Sequence, residues 1–360
     1  MADAHVAGDG SKPVTTLGAA APVRTIHPEF TGTAGEYFRI WIVNLFFSLV
    51  TLGIYSAWAK VRKKKYFYGS TRLDGTTFDY FGRPKAILKG RIVAFLVFVI
   101  YAFAGELYPA SRYGFWALAV LLMPWLVVRA LTFNARNSAH RGLRFHFNGT
   151  PNQAARVYVG LIAVTALTAG LAYPWFAARQ KVFVVSNHAF GLSRLGCELS
   201  TRAFFGIYIR ALLITLALGV PLVGLSAFAM LRLLPSESLS WLALVLPAIG
   251  VYASYAVAYA YLQARTANLL WNGSYGPGFR FASSLAAMKL LRLYIGNIIA
   301  VACTAGLLIP WAVVRTLKYR LENFAVVVED EVVHEANPAF ASVGATGQEL
   351  GDFFNLDLGV

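Results

Sequence analysis

Five times along this chain an aromatic residue, an arginine, an apolar or aromatic residue and a small or amide residue follow one another at intervals of four. The ladders are Trp58-Arg62-Tyr66-Ser70, Trp125-Arg129-Phe133-Asn137, Trp175-Arg179-Phe183-Asn187, Trp311-Arg315-Tyr319-Asn323 and the weaker Tyr261-Arg265-Leu269-Gly273. Side chains four apart share one face of a helix, so each ladder predicts a helix ending in a stripe of ring, cation, apolar group and stop residue. Every ladder closes an apolar run and is followed by a short β-prone stretch. The chain therefore reads as an internal repeat in which helices alternate with small extended segments.

The apolar runs decide the environment. Hydrophobic residues make up 58% of the 360 positions and charged residues 14%, with a mean hydropathy of +0.57. Several runs approach or exceed the roughly 20 residues that cross a bilayer. Single runs occupy 36–59, 155–178 and 289–315. Between them lie paired runs, 90–108 with 113–133 and 203–231 with 239–263. The expected fold is an all-α polytopic membrane protein with internal repeats. It has seven hydrophobic helical segments, some of them re-entrant, and short cytoplasmic β-hairpin-like segments. Residues 1–27, rich in Ala, Gly, Thr and Pro, read as a flexible tail, 28–335 as the membrane domain and 336–360 as an acidic tail. That last tail reads as disordered or as a strap docked on the basic ladders.

Charge sets the topology. Lys and Arg exceed Asp and Glu by 15. The excess flanks apolar segments, with the densest cluster at Lys60 and Arg62 to Lys65, so it points to headgroups and orientation and away from nucleic acid. If all seven segments crossed, the basic connectors 179–202 and 265–292 would face away from the basic 60–91 loop, against the positive-inside bias. A segment 155–178 that dips in and returns puts every basic connector in the cytoplasm. Gly53, Gly170 with Pro174, and Gly306 with Pro310 mark breaks at matching places in the three single runs, which extends the same reading to all three. Gly and Pro also occur in crossing helices, so crossing stays the alternative.

Extended segments follow the ladders. Residues 71–82 carry an Asp-Gly turn signal between β-prone runs, and 141–149, 189–198, 279–281 and 325–333 are comparable. Within the ladders, the Trp suits headgroup depth. The Arg either snorkels to phosphates or stacks on the ring, and the terminal Asn suits a left-handed helix end. The sharper alternative is that the arginines converge into one cationic ring around an anion or headgroup. Asn44 and Asn297 lie at equivalent places in apolar runs, and Arg210 lies just inside another. Interhelical hydrogen bonding or a solute path would explain them.

Little points to catalysis. The histidines His5, His27, His140, His146, His188 and His334 show no ligand spacing. Cys197 and Cys303 form no CxxC, and no HExxH, Walker A, GxGxxG or GxSxG sequence occurs. Neither an enzyme, a metal nor a cofactor is expected, nor a disulfide. No basic region followed by an apolar core marks a cleavable signal peptide at the N-terminus.

Phe30-x-Gly32 with Glu36-Tyr37-Phe38, then Thr51-Leu52-Gly53-Ile54-Tyr55 and Trp58-Ala59-x-Val61-Arg62, resemble the YjgN-like family of bacterial inner-membrane proteins, whose domain has no assigned function. Ala172-Tyr173-Pro174-Trp175, Ile309-Pro310-Trp311 and the closing Gly347-Gln348-Glu349 with Gly351-Asp352-Phe353 extend the likeness from about residue 28 onward. The chain departs from that pattern at Ser56-Ala57, where other copies have Pro before Trp, and at Ser70. The resemblance implies a multi-pass inner-membrane protein and carries over no catalytic residues. Two functions fit. One is a channel, transporter or lipid- and anion-handling protein using the ladder residues on anionic lipid headgroups. The other is a non-catalytic scaffold or homo-oligomeric assembly whose cytoplasmic β segments bind a partner.

Overall fold

The computed structural model describes residues 23–233 and 242–328. Strands β1 (Arg24–Ile26) and β2 (Glu29–Phe30) lead into a hairpin of α1 (Ala34–Val50) and α2 (Ser56–Ser70). Strands β3 (Thr71–Leu73) and β4 (Thr76–Tyr80) lead into α3 (Pro84–Leu107) and α4 (Ser111–Arg136). After β5 (Ser138–His140) and β6 (Leu143–Phe147), α5 (Pro151–Ala155) continues through a π turn into α6 (Leu161–Leu167), and α7 (Tyr173–Ser186) returns. Strands β7 (His188–Phe190), β8 (Ser193–Arg194) and β9 (Gly196–Cys197) precede the long pair α8 (Thr201–Leu233) and α9 (Leu242–Asn272). Strands β10 (Ser274–Gly276) and β11 (Phe279–Ser283) precede α10 (Ala287–Cys303) and α11 (Ile309–Glu322), and β12 (Phe324–Val328) closes the described chain.

The strands form two antiparallel sheets, in the orders β1-β12-β11-β10-β9 and β2-β3-β4-β5-β6-β7-β8. The end strands of the two sheets are consecutive in the chain, since β2 follows β1 after two residues and β9 follows β8 after one. The result is a closed ring that unites what the sequence suggested were separate hairpins. Arg24 pairs with Val328 and Ile26 with Val326. Strand β1 thus lies within the 1–27 segment expected to be flexible, and β12 within the 325–333 extended segment. Residues 1–22, and with them most of that tail, and the 336–360 tail lie outside the described residues.

Ring geometry alternates tight turns on one rim with helical hairpins on the other. Asp74-Gly75 and Arg141-Gly142 both have positive φ at each residue, at 50° and 75° and at 52° and 76°. That is the type I′ geometry whose twist matches antiparallel strands. On the opposite rim, each hairpin is closed at its base by one backbone hydrogen bond. The carbonyl of the last ladder residue accepts from the residue just after the incoming strand. The pairs are Thr31 N to Ser70 O (2.9 Å), Phe81 N to Asn137 O (2.8 Å), Asn148 N to Asn187 O (2.8 Å), Glu198 N to Gly273 O (2.8 Å) and Ser284 N to Asn323 O (3.0 Å). Helices also close the circle, since α11 packs against α1.

Hairpin length comes in two classes. Among the described residues four helices are long and apolar enough to cross a membrane, at Pro84–Leu107, Ser111–Arg136, Thr201–Met230 and Val245–Asn272. This corrects the count of seven. The other three segments each break into two helices at a Thr-x-Gly turn. Thr51, Thr168 and Thr304 donate through Oγ1 to Phe47 O (2.6 Å), Val164 O (2.9 Å) and Ala300 O (2.8 Å). Each hydroxyl also accepts an N–H from four residues on. Gly53, Gly170 and Gly306 take φ of 90°, 89° and 93°, and each donates back to the carbonyl five residues earlier. This is the Schellman ending, for which a side chain at that φ is unfavourable. The second helix then runs back along the first: Tyr66, near the end of α2, hydrogen-bonds to Thr33, the N-cap of α1.

Packing concentrates at the base. Tyr158, Val127, Leu131, Phe147 and Phe183 form the largest described cluster, joining α4, β6 and α7. Tyr158 is 1% exposed, and burying such a ring contributes about 1.5–3 kcal/mol. Phe30, Tyr80 and Phe147 each fold over the glycine two residues on. A Cβ on Gly32, Gly82 or Gly149 would lie 2.6, 2.4 or 2.5 Å from that ring. This gives the Phe30-x-Gly32 signature its physical reason. Gly82→Ala is expected to destabilise by about 1–3 kcal/mol, while Gly35→Ala, in open space on α1, does not. Thermal melting of the detergent-purified protein separates the two.

At the turn rim Asp74 pairs with Arg24 and with Arg141, both at 2.5 Å. The Arg141 guanidinium holds the Asp74 carboxyl below its ordinary value of 3.8. A depressed carboxyl contributes stability that is complete above its unfolded value and disappears as pH falls through the folded one. Asp74→Asn is therefore expected to melt earlier than the wild type at neutral pH. The gap should persist unchanged down to about pH 4 and close only as pH falls further, below the ordinary carboxyl value of 3.8, as read from melting curves of both proteins.

Candidate functional site

All five ladders lie on the returning helix of a hairpin, and the four rungs have different work. The first two meet as cation–π pairs in three ladders. The Arg129 guanidinium lies 5.2 Å from the Trp125 ring, Arg315 lies 5.0 Å from Trp311 and Arg265 lies 5.9 Å from Tyr261. In the first ladder Arg62 instead donates to the Tyr55 hydroxyl at 3.4 Å, and the Tyr55 ring stacks on Trp58. Trp175 is half-buried and Arg179 exposed. Third rungs turn inward: Phe133 and Phe183 are buried, while Tyr66 and Tyr319 reach the start of their own hairpin.

The fourth rung corrects an expectation. Asn137, Asn187 and Asn323 have φ of −89°, −98° and −104°, none of it left-handed. Their side-chain amides donate to the carbonyls of Phe133 (2.8 Å), Asn187's to Phe183 (2.7 Å) and Asn323's to Tyr319 (2.7 Å). Asparagine thus donates to a carbonyl in the last turn of its helix while its own C=O takes the base hydrogen bond. Gly273 stands in that place in the fourth hairpin, where a Cβ would come 2.4 Å from Glu198 O.

The ladder arginines are spread around the ring. Arg62, Arg179, Arg265 and Arg315 are exposed and Arg129 is half-buried. Of two surface cavities, one gathers a single ladder arginine, Arg315, and the other, on α3 and α4, none. The larger, about 590 Å³, lies where the last hairpin meets the first, between the start of α1 and the facing sides of α10 and α11. Lys289 and Arg292 line it from α10, and Arg315 and Lys318 from α11, beside the single carboxylate of Glu322. Leu293, Trp311 and Val314 supply its apolar wall. Among the described residues Lys289, Arg292 and Lys318 make no hydrogen bond or ion pair. Lys289, Arg292 and Lys318 were not singled out in the sequence. Their signal was there as two cation pairs of i,i+3 spacing, 289/292 and 315/318, on helices that return on each other.

Asn297 holds the wall of this groove. Its Nδ2 donates to Thr316 Oγ1 (2.9 Å) and Ala312 O (3.3 Å), and Arg315 donates to its Oδ1 (3.4 Å). This is the interhelical bonding expected of a polar group in an apolar run. Gly296 leaves room for the guanidinium, since a Cβ there would lie 3.2 Å from Arg315 Nη1. Asn44, at the matching place in α1, is buried with its Oδ1 unbonded among the described residues. Arg210 is exposed on α8, away from the groove. Among the described residues no three His, Cys, Asp or Glu side chains come together as metal ligands.

Comparison with known proteins places the chain. The family model described as "Bacterial protein of unknown function (DUF898)" matches residues 25–353. The inner membrane protein YjgN of Salmonella typhimurium is 31% identical over 129 residues, 35% of this chain and 32% of that protein. YjgN of Escherichia coli strain K12 is 31% identical over 125 residues, 33% of this chain and 30% of that protein. The match thus spans about a third of the length of these relatives. No solved structure matches the chain.

Asn297→Leu leaves Thr316 and Arg315 without their common partner. It is expected to destabilise the protein by about 1–3 kcal/mol, whereas Asn44→Leu, which removes an unbonded oxygen, costs less or stabilises. Paired melting curves decide the order.

Proposed function

The chain belongs to the DUF898 family of bacterial proteins and is a YjgN-like membrane protein, and from that premise we propose a multi-pass inner-membrane protein that handles anionic lipids. Its five hairpins are copies of one unit, each a strand, two helices and a strand. The four long helices cross the bilayer, and the three short hairpins dip into one leaflet and return.

Charge spacing supports the short insertions. Eleven residues separate Arg39 from the end of α1 at Val50, Arg156 from the end of α6 at Leu167, and Arg292 from the end of α10 at Cys303. At 1.5 Å per residue that uncharged reach is about 16 Å, roughly half the hydrocarbon thickness. The turns it leads to carry exposed Leu52, Ile54, Leu167, Leu171, Leu307 and Leu308, which suits a bilayer interior. The strand ring and all basic connectors share one end of the helices, and the positive-inside bias puts that end in the cytoplasm.

The observation that carries the lipid reading is the outward dispersal of the ladder arginines. Cations stacked on interfacial rings and spread around a perimeter meet headgroups, whereas a solute path would need them gathered. A scaffold role is the second reading. The strand ring favours it by presenting exposed Arg72, Asp79, Arg144 and Arg194, which suit a charged partner.

Two measurements test this. In a Cys303→Ser background, cysteines placed at Ser193 and Pro277 are expected to resist a membrane-impermeant thiol reagent in intact cells and to react in inverted vesicles. Labelling from outside sinks the topology. Native mass spectrometry of the protein extracted in mild detergent is expected to show anionic phospholipid retained over zwitterionic. Equal retention removes the lipid reading.

A further inference from the structure

One place in the ring breaks the pattern of its counterparts. In the first hairpin the third residue of α1 is Glu36. Its carboxylate accepts from the Tyr66 hydroxyl at 3.0 Å and from Thr33 N–H at 3.2 Å, and the Tyr66 hydroxyl also reaches Thr33 O at 2.9 Å. In the fifth hairpin the third residue of α10 is Lys289. Among the described residues the hydroxyl of Tyr319, on the same rung as Tyr66, bonds only to the backbone of Ala286, accepting from its N–H at 3.1 Å and donating to its C=O at 3.2 Å. An internal carboxylate thus occupies the base of the first hairpin. In the fifth a cation takes its place and a cavity of about 590 Å³ stands open.

We propose that this groove between α1, α10 and α11 binds a phosphate group, that of an anionic lipid headgroup held in the cytoplasmic leaflet. The inference rests on the lipid-handling reading and gives it an address. Lys289, Arg292, Arg315 and Lys318 face one carboxylate, Glu322, so the groove carries excess positive charge. Arg315 is pre-oriented by Asn297 and Trp311, so little side-chain entropy is lost on binding. Polarity is graded along the groove. Lys289 and Lys318 lie near the strand ring, while Trp311 lies beside the hairpin turn. A molecule with a charged end and an apolar body matches that gradient, and a free phosphate ion matches only half of it.

The test uses the full chain in detergent, titrated with phosphatidylglycerol or phosphatidylcholine and read by native mass spectrometry, with thermal melting as a fold control. Lys289→Glu restores the internal carboxylate of the first hairpin. It is expected to weaken the tightest phosphatidylglycerol by about tenfold or more, since two units of charge change at the site. Lys318→Gln is expected to weaken it several-fold, and it decides the matter if Lys289→Glu does not fold. If both variants hold phosphatidylglycerol as the wild type does, the groove assignment is overturned while the perimeter reading stands. If the wild type shows no preference over phosphatidylcholine, both fall. Inorganic phosphate at millimolar concentration separates the two sources of the same chemistry. Failure to displace the lipid supports the headgroup, and full displacement overturns it in favour of a soluble phosphate.

Discussion

Five backbone hydrogen bonds at the bases of the hairpins, all between 2.8 and 3.0 Å, are what the rest of this structure depends on. Each ties the carbonyl at the end of a returning helix to the amide just after an incoming strand. Helix end and sheet edge are both places where backbone groups lose their regular partners. Joining them satisfies both at once, and fixes where every hairpin leaves the ring and returns to it. The rung-four residue serves this bond: an amide that caps its own helix in three hairpins, and in the fourth a glycine that lets the backbones approach.

A fixed base frees the other end. Hairpins whose first helix has 17 residues and hairpins whose helices have 24 or more stand on the same ring, because nothing at the base senses how far the helices extend. Where the turn is Thr-x-Gly, the hydroxyl and the positive-φ glycine end the helix early. Where that signal is absent, the helix runs to crossing length. A ring of this kind can mix long and short hairpins without altering its foundation. The proposed lipid reading uses that mixture, since shallow hairpins bring charged bases to headgroup depth within one leaflet.

Similarity of the hairpins makes their differences informative. Tyr66 and Tyr319 occupy the same rung and reach the same place, yet one meets a carboxylate and the other bare backbone beside a lysine. At the groove by the fifth hairpin Lys289 stands at the helix position that Glu36 holds in the first, with Arg292 and Lys318 beside it. It also lies at the seam where α11 meets α1, so its walls come from the two extremes of the described chain.

Much of this was legible in the sequence. Four-residue ladders located the returning helices, Thr-Leu-Gly and its relatives marked the turns, and Asp-Gly marked a hairpin, because each depends on interactions within a few residues. For Asn297 the sequence offered interhelical bonding or a solute path, and the structure shows bonds to Thr316 and Ala312 on the neighbouring helix. Several readings changed on assembly. Seven segments became four crossing-length helices and three broken ones, and separate β segments became one closed ring. Arg24–Ile26 was lost in a weak composition signal because its partner, β12, is some 300 residues away. The groove was invisible for the same reason. Lys289 and Lys318 acquire meaning only when α10, α11 and α1 are brought together. Local spacing determined the unit, while long-range pairing of backbone groups decided how the units close and where their charges meet.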